Sequence, residues 1–252
     1  MSVLKFLGFM IVFFSTFTFA QDKVEIKAVL GEQLDFNRLN DFFSGKSNRR
    51  SEKKLIVYFF DTSSCSLNDK GLILRARIRQ GDSFLEGKME STVKIRTDNL
   101  QDIPGFECEK DLLPNKRELF SCSLKTKVPF SEGLRPTGSF AFWSDQQLGK
   151  VEKMMDQSLS QLSLQSYGPI KATKYKYKGI EKIDIKSLTL EIWEVNGDQL
   201  YELSTKVPES KSDRAQEEMN DLLKKMDIKS SALTKTRWAL SKLGACYQPD
   251  PD

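Results

Sequence analysis

Three arginines occupy every second position of one short segment. Arg75, Arg77 and Arg79 alternate with apolar or small residues in LILRARIR, residues 72–79. Because side chains of a strand alternate between its two faces, we expect the three guanidinium groups to share one face. Like charges placed side by side repel each other, and guanidinium is well suited to holding phosphate oxygens. The segment therefore favours an anion site; the alternative is a solvated edge strand whose charges discourage aggregation.

The segments before and after these three arginines show the periodicity of strands in some places and of helices in others. About eight antiparallel strands with helices outside them predict an α+β fold: an antiparallel eight-stranded β-barrel, or tunnel, with flanking helices. Alternate residues of each strand would face its interior, and we expect that set to be strongly charged. By length the mature part can bury a core as one large domain or two small ones; the barrel interpretation predicts a single domain over residues 21–252, with helices at its C-terminal end.

The absence of histidine restricts the chemistry open to this chain. It excludes Ser-His-Asp and Cys-His catalysis and histidine-ligated zinc. Any metal would be held by carboxylates, which favours magnesium, manganese or calcium. The formal net charge of +4 falls to +3 without Lys5, and no lysine- or arginine-rich tail is present, so we expect no nucleic-acid partner.

The first twenty residues have the pattern of a signal peptide. A short positive start is followed by an apolar run over residues 6–19, and Thr18-Phe19-Ala20 is an acceptable cleavage site. Cleavage after Ala20 would export the mature chain to a periplasm or beyond the cell. No second apolar stretch follows, which predicts no membrane span after cleavage. The alternative is an uncleaved membrane anchor.

Four cysteines predict two disulfides in an exported chain, although three pairings are possible. Cys108 and Cys122 lie symmetrically about a turn at residues 114–117, so a hairpin would bring them opposite each other. Cys65 with Cys246 would then tie the C-terminal tail to an early loop.

An ordered set of motifs resembles the CYTH superfamily, the triphosphate tunnel metalloenzymes. The motifs are YFFDT and GLILRAR, then TVKIR, a Glu-x-Glu strand, TLEIWEV and YELSTKV. The resemblance covers nearly the whole mature chain, and its most specific part is YFFDT followed by GLILRAR. It implies an antiparallel eight-stranded tunnel in which basic residues grip a triphosphate and glutamates hold a divalent metal.

The resemblance assigns candidate roles to twelve residues. Candidate phosphate ligands are Lys27, Arg75, Arg77, Lys94, Arg96, Lys174 and Lys176. Candidate ligands for magnesium or manganese are Glu25, Glu107, Glu109, Glu191 and Glu202.

The acidic half of the family pattern is less complete than the basic half. Lys23 stands where the first strand of the family has a glutamate, Trp193 replaces an aspartate, and the last strand ends its alternation at Lys206. A lysine repels a divalent ion and attracts phosphate, and metal-assisted phosphoryl transfer needs carboxylates to fix the cation.

Three functions follow as expectations. The favoured one is a tunnel that binds a phosphate-rich anion (tripolyphosphate, polyphosphate or a nucleoside triphosphate) beside a degenerate metal site, with weak or no hydrolysis. The first alternative is an active metal-dependent triphosphatase. The second is a structural barrel whose interior charges pair among themselves and whose surface meets a protein partner.

Overall fold

Nine β-strands close into one barrel within the part of the chain that the computed structural model describes. The described residues are 23–31, 34–45, 49–80, 88–97, 103–113, 118–129, 142–179, 185–231 and 233–245, so the predicted signal peptide, residues 1–20, lies outside them. The strands are β1 (Lys23–Gly31), β2 (Arg49–Thr62), β3 (Leu72–Gln80), β4 (Lys88–Thr97), β5 (Glu107–Leu112), β6 (Glu118–Pro129), β7 (Leu164–Lys178), β8 (Ser187–Val195) and β9 (Asp198–Pro208). The helices are α1 (Phe36–Ser44), α2 (Ser66–Asp69), α3 (Asp145–Met155), α4 (Ser212–Lys225) and α5 (Lys235–Lys242), with short 3-10 helices at Leu159–Gln161 and Glu209–Lys211.

The barrel is mixed, which corrects the prediction of eight antiparallel strands. Its order is β1-β5-β6-β4-β3-β2-β7-β8-β9, and β9 closes onto β1. The β1–β5 pair is parallel, with Glu25 opposite Asp111, and the other pairs are antiparallel. Strand direction cannot alternate all the way round a ring with an odd number of strands. A ninth strand therefore requires at least one parallel pair.

Helices cover two sectors of the outer face of the barrel. The alternate residues Val24, Ile26 and Ala28 of β1 are buried in one apolar cluster with residues of α1 and α4. On another sector, Leu74 of β3 and Val93 of β4 are buried with residues of α3. The intervening residues of these strands, including the three predicted arginines, consequently face the interior.

One end of the interior is apolar and is filled by α5. Trp238 of this helix is 2% exposed and belongs to a cluster with Val29, Phe59, Ile73 and Trp193 from four strands. The side chain of Thr234 accepts the backbone N–H of Arg237 and so caps the start of α5. This end of α5 holds the next residue, Lys235, beside the charged part of the interior. No helix in the described ranges is long and apolar enough to cross a membrane.

The aspartate of YFFDT is a structural residue. Both carboxylate oxygens of Asp61 accept backbone N–H groups at the start of α2, from Leu67 at 3.0 Å and from Asn68 at 3.0 Å. Burial raises the pKa of Asp61, whereas these hydrogen bonds favour its charged form. The carboxylate therefore fixes the turn between β2 and β3, and so positions the arginine strand.

The predicted disulfide between Cys108 and Cys122 is confirmed. The two residues are directly opposite each other in the β5–β6 pair. Cys65 is also disulfide-bonded, and Cys246, its predicted partner, lies outside the described residues.

Candidate anion-binding tunnel

The twelve candidate site residues follow the alternation that faces the interior of the barrel. Arg75 and Arg77 come from β3, and Lys94 and Arg96 come from its neighbour β4, where Lys94 is paired with Ile73 and Thr92 with Arg75. We call these four basic residues the basic wall. Pairing brings their charges together because β3 and β4 are adjacent antiparallel strands.

Arg75 is a buried guanidinium without an anionic partner. It is 8% exposed, it makes no ion pair with the described residues, and its Nε has no hydrogen-bond partner there. Burial, reinforced by the neighbouring charge of Arg77, lowers the pKa of Arg75. A guanidinium nevertheless remains protonated in proteins. Glu90 and Glu191 attract this guanidinium without reaching ion-pair distance, so within the described structure the cost of its burial is offset only in part.

Lys94 is the second cation that lacks a partner. The described structure gives its ammonium group no hydrogen bond or ion pair, and burial holds the pKa of Lys94 well below its ordinary value. Lys27, Arg96 and Arg75 add to this shift by repulsion, against an opposing attraction from Asp111. Arg75 and Lys94 are thus the two members of the basic wall that make no ion pair in the described structure.

The other two members of the wall have protein contacts. Arg77 Nη1 lies 4.0 Å from Glu90 Oε1, at the limit of an ion pair. Arg96 donates to Thr234 Oγ1 at 3.3 Å and to Thr236 Oγ1 at 3.4 Å. These contacts connect the wall to β4 and to the start of α5.

Carboxylates collect on another part of the interior, on β1 and β5. One oxygen each of Glu25, Glu109 and Asp111 lies within 4.8 Å of the others, which we call the acidic cluster. Asp111 Oδ2 pairs with Lys27 Nζ at 2.8 Å, and Glu25 Oε2 lies 3.2 Å from the same nitrogen. By position the three carboxylates could share one metal ion, since oxygen ligands suit magnesium and manganese.

Two ammonium groups already neutralise much of the acidic cluster. In addition to Lys27, Lys206 of β9 pairs with Glu109 and lies 3.7 Å from Glu25 Oε2. A divalent ion among these oxygens would meet two positive charges within ion-pair distance of its ligands. The residues present therefore do not fit a resident divalent ion in this arrangement.

Glu191 and Glu202 form a second acidic pair, which contacts a lysine of α5. They are opposite each other on β8 and β9, and Lys235 of α5 pairs with both carboxylates. Glu191 also accepts from Lys174 at 2.9 Å and from Trp193 Nε1 at 3.3 Å. Burial alone would raise the pKa of Glu191, but attraction to Lys235, Lys174 and Arg77 lowers this pKa. These predicted metal ligands are thus ion-paired, and they lie apart from the acidic cluster.

Two predicted residues lie towards the end of the barrel that is remote from α5. Glu107 has a side chain that is 80% exposed and pairs with Lys125 at 3.3 Å. Lys176 is exposed beyond Lys174 on β7. The structure brings neither of them to the buried part of the site.

Sequence reasoning missed Asp111 and Lys235. The signal for Asp111 was present, because it continues the alternation of Glu107 and Glu109 along β5. No sequence pattern indicated Lys235, because its position in the tunnel depends on how α5 packs against the barrel. Lys206 was noted only as a departure from the family pattern, and its two carboxylate partners come from other strands.

Acid should weaken the fold through Glu25. Burial alone raises the pKa of this carboxyl, but Lys27, Lys206 and Lys235 overcome that effect and lower it from 4.5 to about 2. A lowered pKa in the folded state contributes stability above the unfolded pKa, and this contribution is lost as the pH falls towards the folded value. We expect the free energy of unfolding to fall by on the order of 2 kcal/mol between about pH 5 and pH 2 through this group.

Urea unfolding at a series of pH values measures this effect. Glu25→Gln should be less stable than the wild type at pH 7 and should show a flatter pH profile. Parallel profiles for the two proteins would contradict the assignment.

Comparison with known proteins identifies the fold. No protein-family model matches the sequence, and no curated protein matches it. Among solved structures, a candidate adenylyl cyclase from Hippeastrum, described as revealing a dominant triphosphatase activity, has a TM-score of 0.52 and 15% identity over 87% of this chain and 95% of its own. A candidate adenylate cyclase from Bacillus halodurans has a TM-score of 0.53 and 16% identity over 86% of this chain and 96% of its own. At these identities the likeness shows a shared fold.

Proposed function

We propose that this chain, which has the fold of the CYTH or triphosphate tunnel superfamily, binds a phosphate-rich anion in its tunnel with weak or no hydrolysis. Tripolyphosphate, a longer polyphosphate or a nucleoside triphosphate would supply that anion. The observation that carries the proposal is the pair Arg75 and Lys94, a buried guanidinium and a half-buried ammonium that make no ion pair in the described structure. A barrel whose interior charges only pair among themselves would not leave these two unmatched.

The basic wall suits a chain of phosphates. Each guanidinium presents several N–H donors in a fixed fork, so Arg75 and Arg77 can each hold two oxygens of a phosphate group. Lys94 contributes a point charge on the adjacent strand, and Lys174 and Lys27, which are ion-paired in the free protein, lie further across the interior. A ligand with several linked phosphates would contact more of these groups than a single phosphate.

Weak hydrolysis follows from the pairing of the carboxylates. When a divalent cation is bound in a phosphoryl-transfer site, it bridges phosphate oxygens and offsets developing charge. In this chain Lys27, Lys206 and Lys235 already neutralise the carboxylates that would hold such a cation. The lysines can offset the charge of a bound phosphate, but they do not orient an attacking water in the same way.

Thermal unfolding with a series of anions tests the proposal. In the presence of a chelator, the unfolding midpoint should rise in the order phosphate, pyrophosphate, tripolyphosphate, because stabilisation grows with affinity for the folded state. In Arg75→Ala/Arg77→Ala the three anions should raise the unfolding midpoint by similar, small amounts. Equal small shifts of the wild type with all three anions would show screening by salt and would overturn the proposal.

An active metal-dependent triphosphatase is the second candidate, and the acidic cluster of Glu25, Glu109 and Asp111 favours it. The discriminating assay is phosphate release from tripolyphosphate and ATP with magnesium or manganese. Turnover at an ordinary enzymatic rate, on the order of 1 per second or faster, that Glu109→Gln removes would establish this function instead. Binding without turnover would favour the first proposal.

We also propose that the protein is exported. The pattern of residues 1–20 supports this, and the Cys108–Cys122 disulfide is typical of an oxidising compartment. Nucleoside triphosphates are scarce outside the cytoplasm, which makes inorganic polyphosphates the more accessible ligands. The mass of the protein recovered from its native cells should correspond to a chain that begins at Gln21, and an intact Met1 would contradict export by cleavage.

A further inference from the structure

Lys206 places its own ammonium group where the acidic cluster would otherwise receive a metal ion. It lies on β9 opposite Glu25 of β1, and its ammonium pairs with Glu109 and lies 3.7 Å from Glu25 Oε2. Its side chain is 48% exposed, so its position does not depend on burial in the core. An ammonium at this place supplies one positive charge to oxygens that a divalent ion would coordinate.

Asp111 provides an independent sign that the acidic cluster has room for a bound cation. This residue is 5% exposed, and its Oδ2 accepts from Lys27 at 2.8 Å and from Ser121 at 3.1 Å. Its Oδ1 is buried and has no hydrogen-bond partner in the described structure. A buried carboxylate oxygen without a partner is costly, and it can act as a metal ligand without breaking an existing contact.

The balance of charge decides whether a metal can enter. Three carboxylates face two ammonium groups, those of Lys27 and Lys206, so a divalent ion would leave the group with excess positive charge. Without Lys206 the same three carboxylates would face one ammonium, and the remaining charge of −2 would match one divalent ion. The substitution changes little else, because the stem of Lys206 is half exposed.

We propose that Lys206 is a tethered cation that excludes divalent metal from the acidic cluster, and that its removal converts Glu25, Glu109 and Asp111 into a site for manganese or magnesium. The inference concerns metal binding alone and does not depend on whether the tunnel binds phosphate. If the proposed anion function also holds, the Lys206 variants should still bind tripolyphosphate in chelator and should bind it more tightly when manganese or magnesium is added.

Manganese binding to the purified mature protein, measured by calorimetry or by electron paramagnetic resonance, is the test. Lys206→Ala and Lys206→Ser should each bind Mn²⁺ at least about tenfold more tightly than the wild type, since a repelling charge is lost next to the ligands. Lys206→Arg should remain like the wild type, because the positive charge is kept. The matched control is Lys171→Ala, which removes a lysine paired with Glu194 at 3.3 Å on the outer face.

The outcomes separate this inference from the proposed function. A gain in Lys206→Ala that Glu109→Gln removes supports it, and an equal gain in Lys171→Ala shows only a change of net charge and overturns it. No gain in either Lys206 variant, with folding verified by circular dichroism, also overturns it. A gain in Mn²⁺ affinity in a protein that never binds tripolyphosphate supports the inference and contradicts the proposed function.

Discussion

Arg75→Met should stabilise the free protein and remove most of its affinity for tripolyphosphate. The wild-type guanidinium is buried without an anionic partner, and methionine fills similar space without a charge. Replacing a buried ion pair by well-packed apolar side chains is often neutral or stabilising by about 1–4 kcal/mol, and removal of a buried charge that has no ion pair should raise stability in the same direction. Loss of charge-assisted hydrogen bonds to phosphate should weaken binding by about 100-fold.

Urea unfolding and equilibrium titration measure these two opposite effects on the same protein. Arg214→Met is a matched control, because Arg214 is an exposed residue of α4 that pairs with Glu218 at 3.4 Å. It should change neither quantity appreciably. If Arg75→Met is destabilised and binds tripolyphosphate normally, the guanidinium has a structural role that the described contacts do not reveal.

Lys235→Met should be strongly destabilising at neutral pH. Lys235 is the residue of α5 that neutralises Glu191 and Glu202, which are opposite each other and largely buried. Removal of one partner leaves an uncompensated buried charge, which costs about 3–5 kcal/mol in comparable cases. We expect a loss of this order in the free energy of unfolding.

The pH dependence of the variant distinguishes lost charge from lost packing. Lys235 is the strongest of the attractions that hold the pKa of Glu191 down, so without it burial should raise the folded-state pKa of this carboxyl. A carboxyl whose pKa is raised on folding makes the protein more stable as the pH falls. The difference in free energy of unfolding between Lys235→Met and the wild type should therefore become smaller in mild acid. A loss that is constant with pH would contradict this explanation.

Two further variants control for the Lys235 result. Lys235→Met/Glu202→Gln should recover part of the lost stability, because it removes one of the two carboxylates. Lys242→Met removes a lysine from the same helix that pairs with Asp198 at the surface, and it should cost less than about 1 kcal/mol.

The sequence predicted the face of each strand well and the neighbours of each strand poorly. Alternation is local, so the inward positions of Arg75, Arg77 and Lys94 could be predicted before any partner strand was known. The β1–β5 pair joins residues that are 86 positions apart in the sequence, such as Glu25 and Asp111, and has no local signal. For this reason the Glu-x-Glu pattern of β5 was predicted, whereas the meeting of Asp111 with Lys27 was not.

The ion pairs that neutralise the carboxylates depend on docking. Glu191 and Glu202 were predicted as metal ligands from their strands alone, and nothing in those strands indicates that Lys235 would reach them from α5. Lys206 was predicted to disfavour metal because of its charge, and its contact with Glu109 required the closed barrel. A periodic pattern thus predicts which residues face the interior, and the closure of the barrel determines which of them pair.

The central claim is that the basic wall binds a phosphate chain without metal. Isothermal titration of the mature, oxidised protein with tripolyphosphate, in chelator and again with magnesium, tests it most directly, with Arg75→Ala/Arg77→Ala as the control. We predict binding of similar affinity in both conditions and its loss in the control. Binding that requires magnesium would contradict metal independence and favour the triphosphatase, and no binding in either condition would contradict the anion site itself.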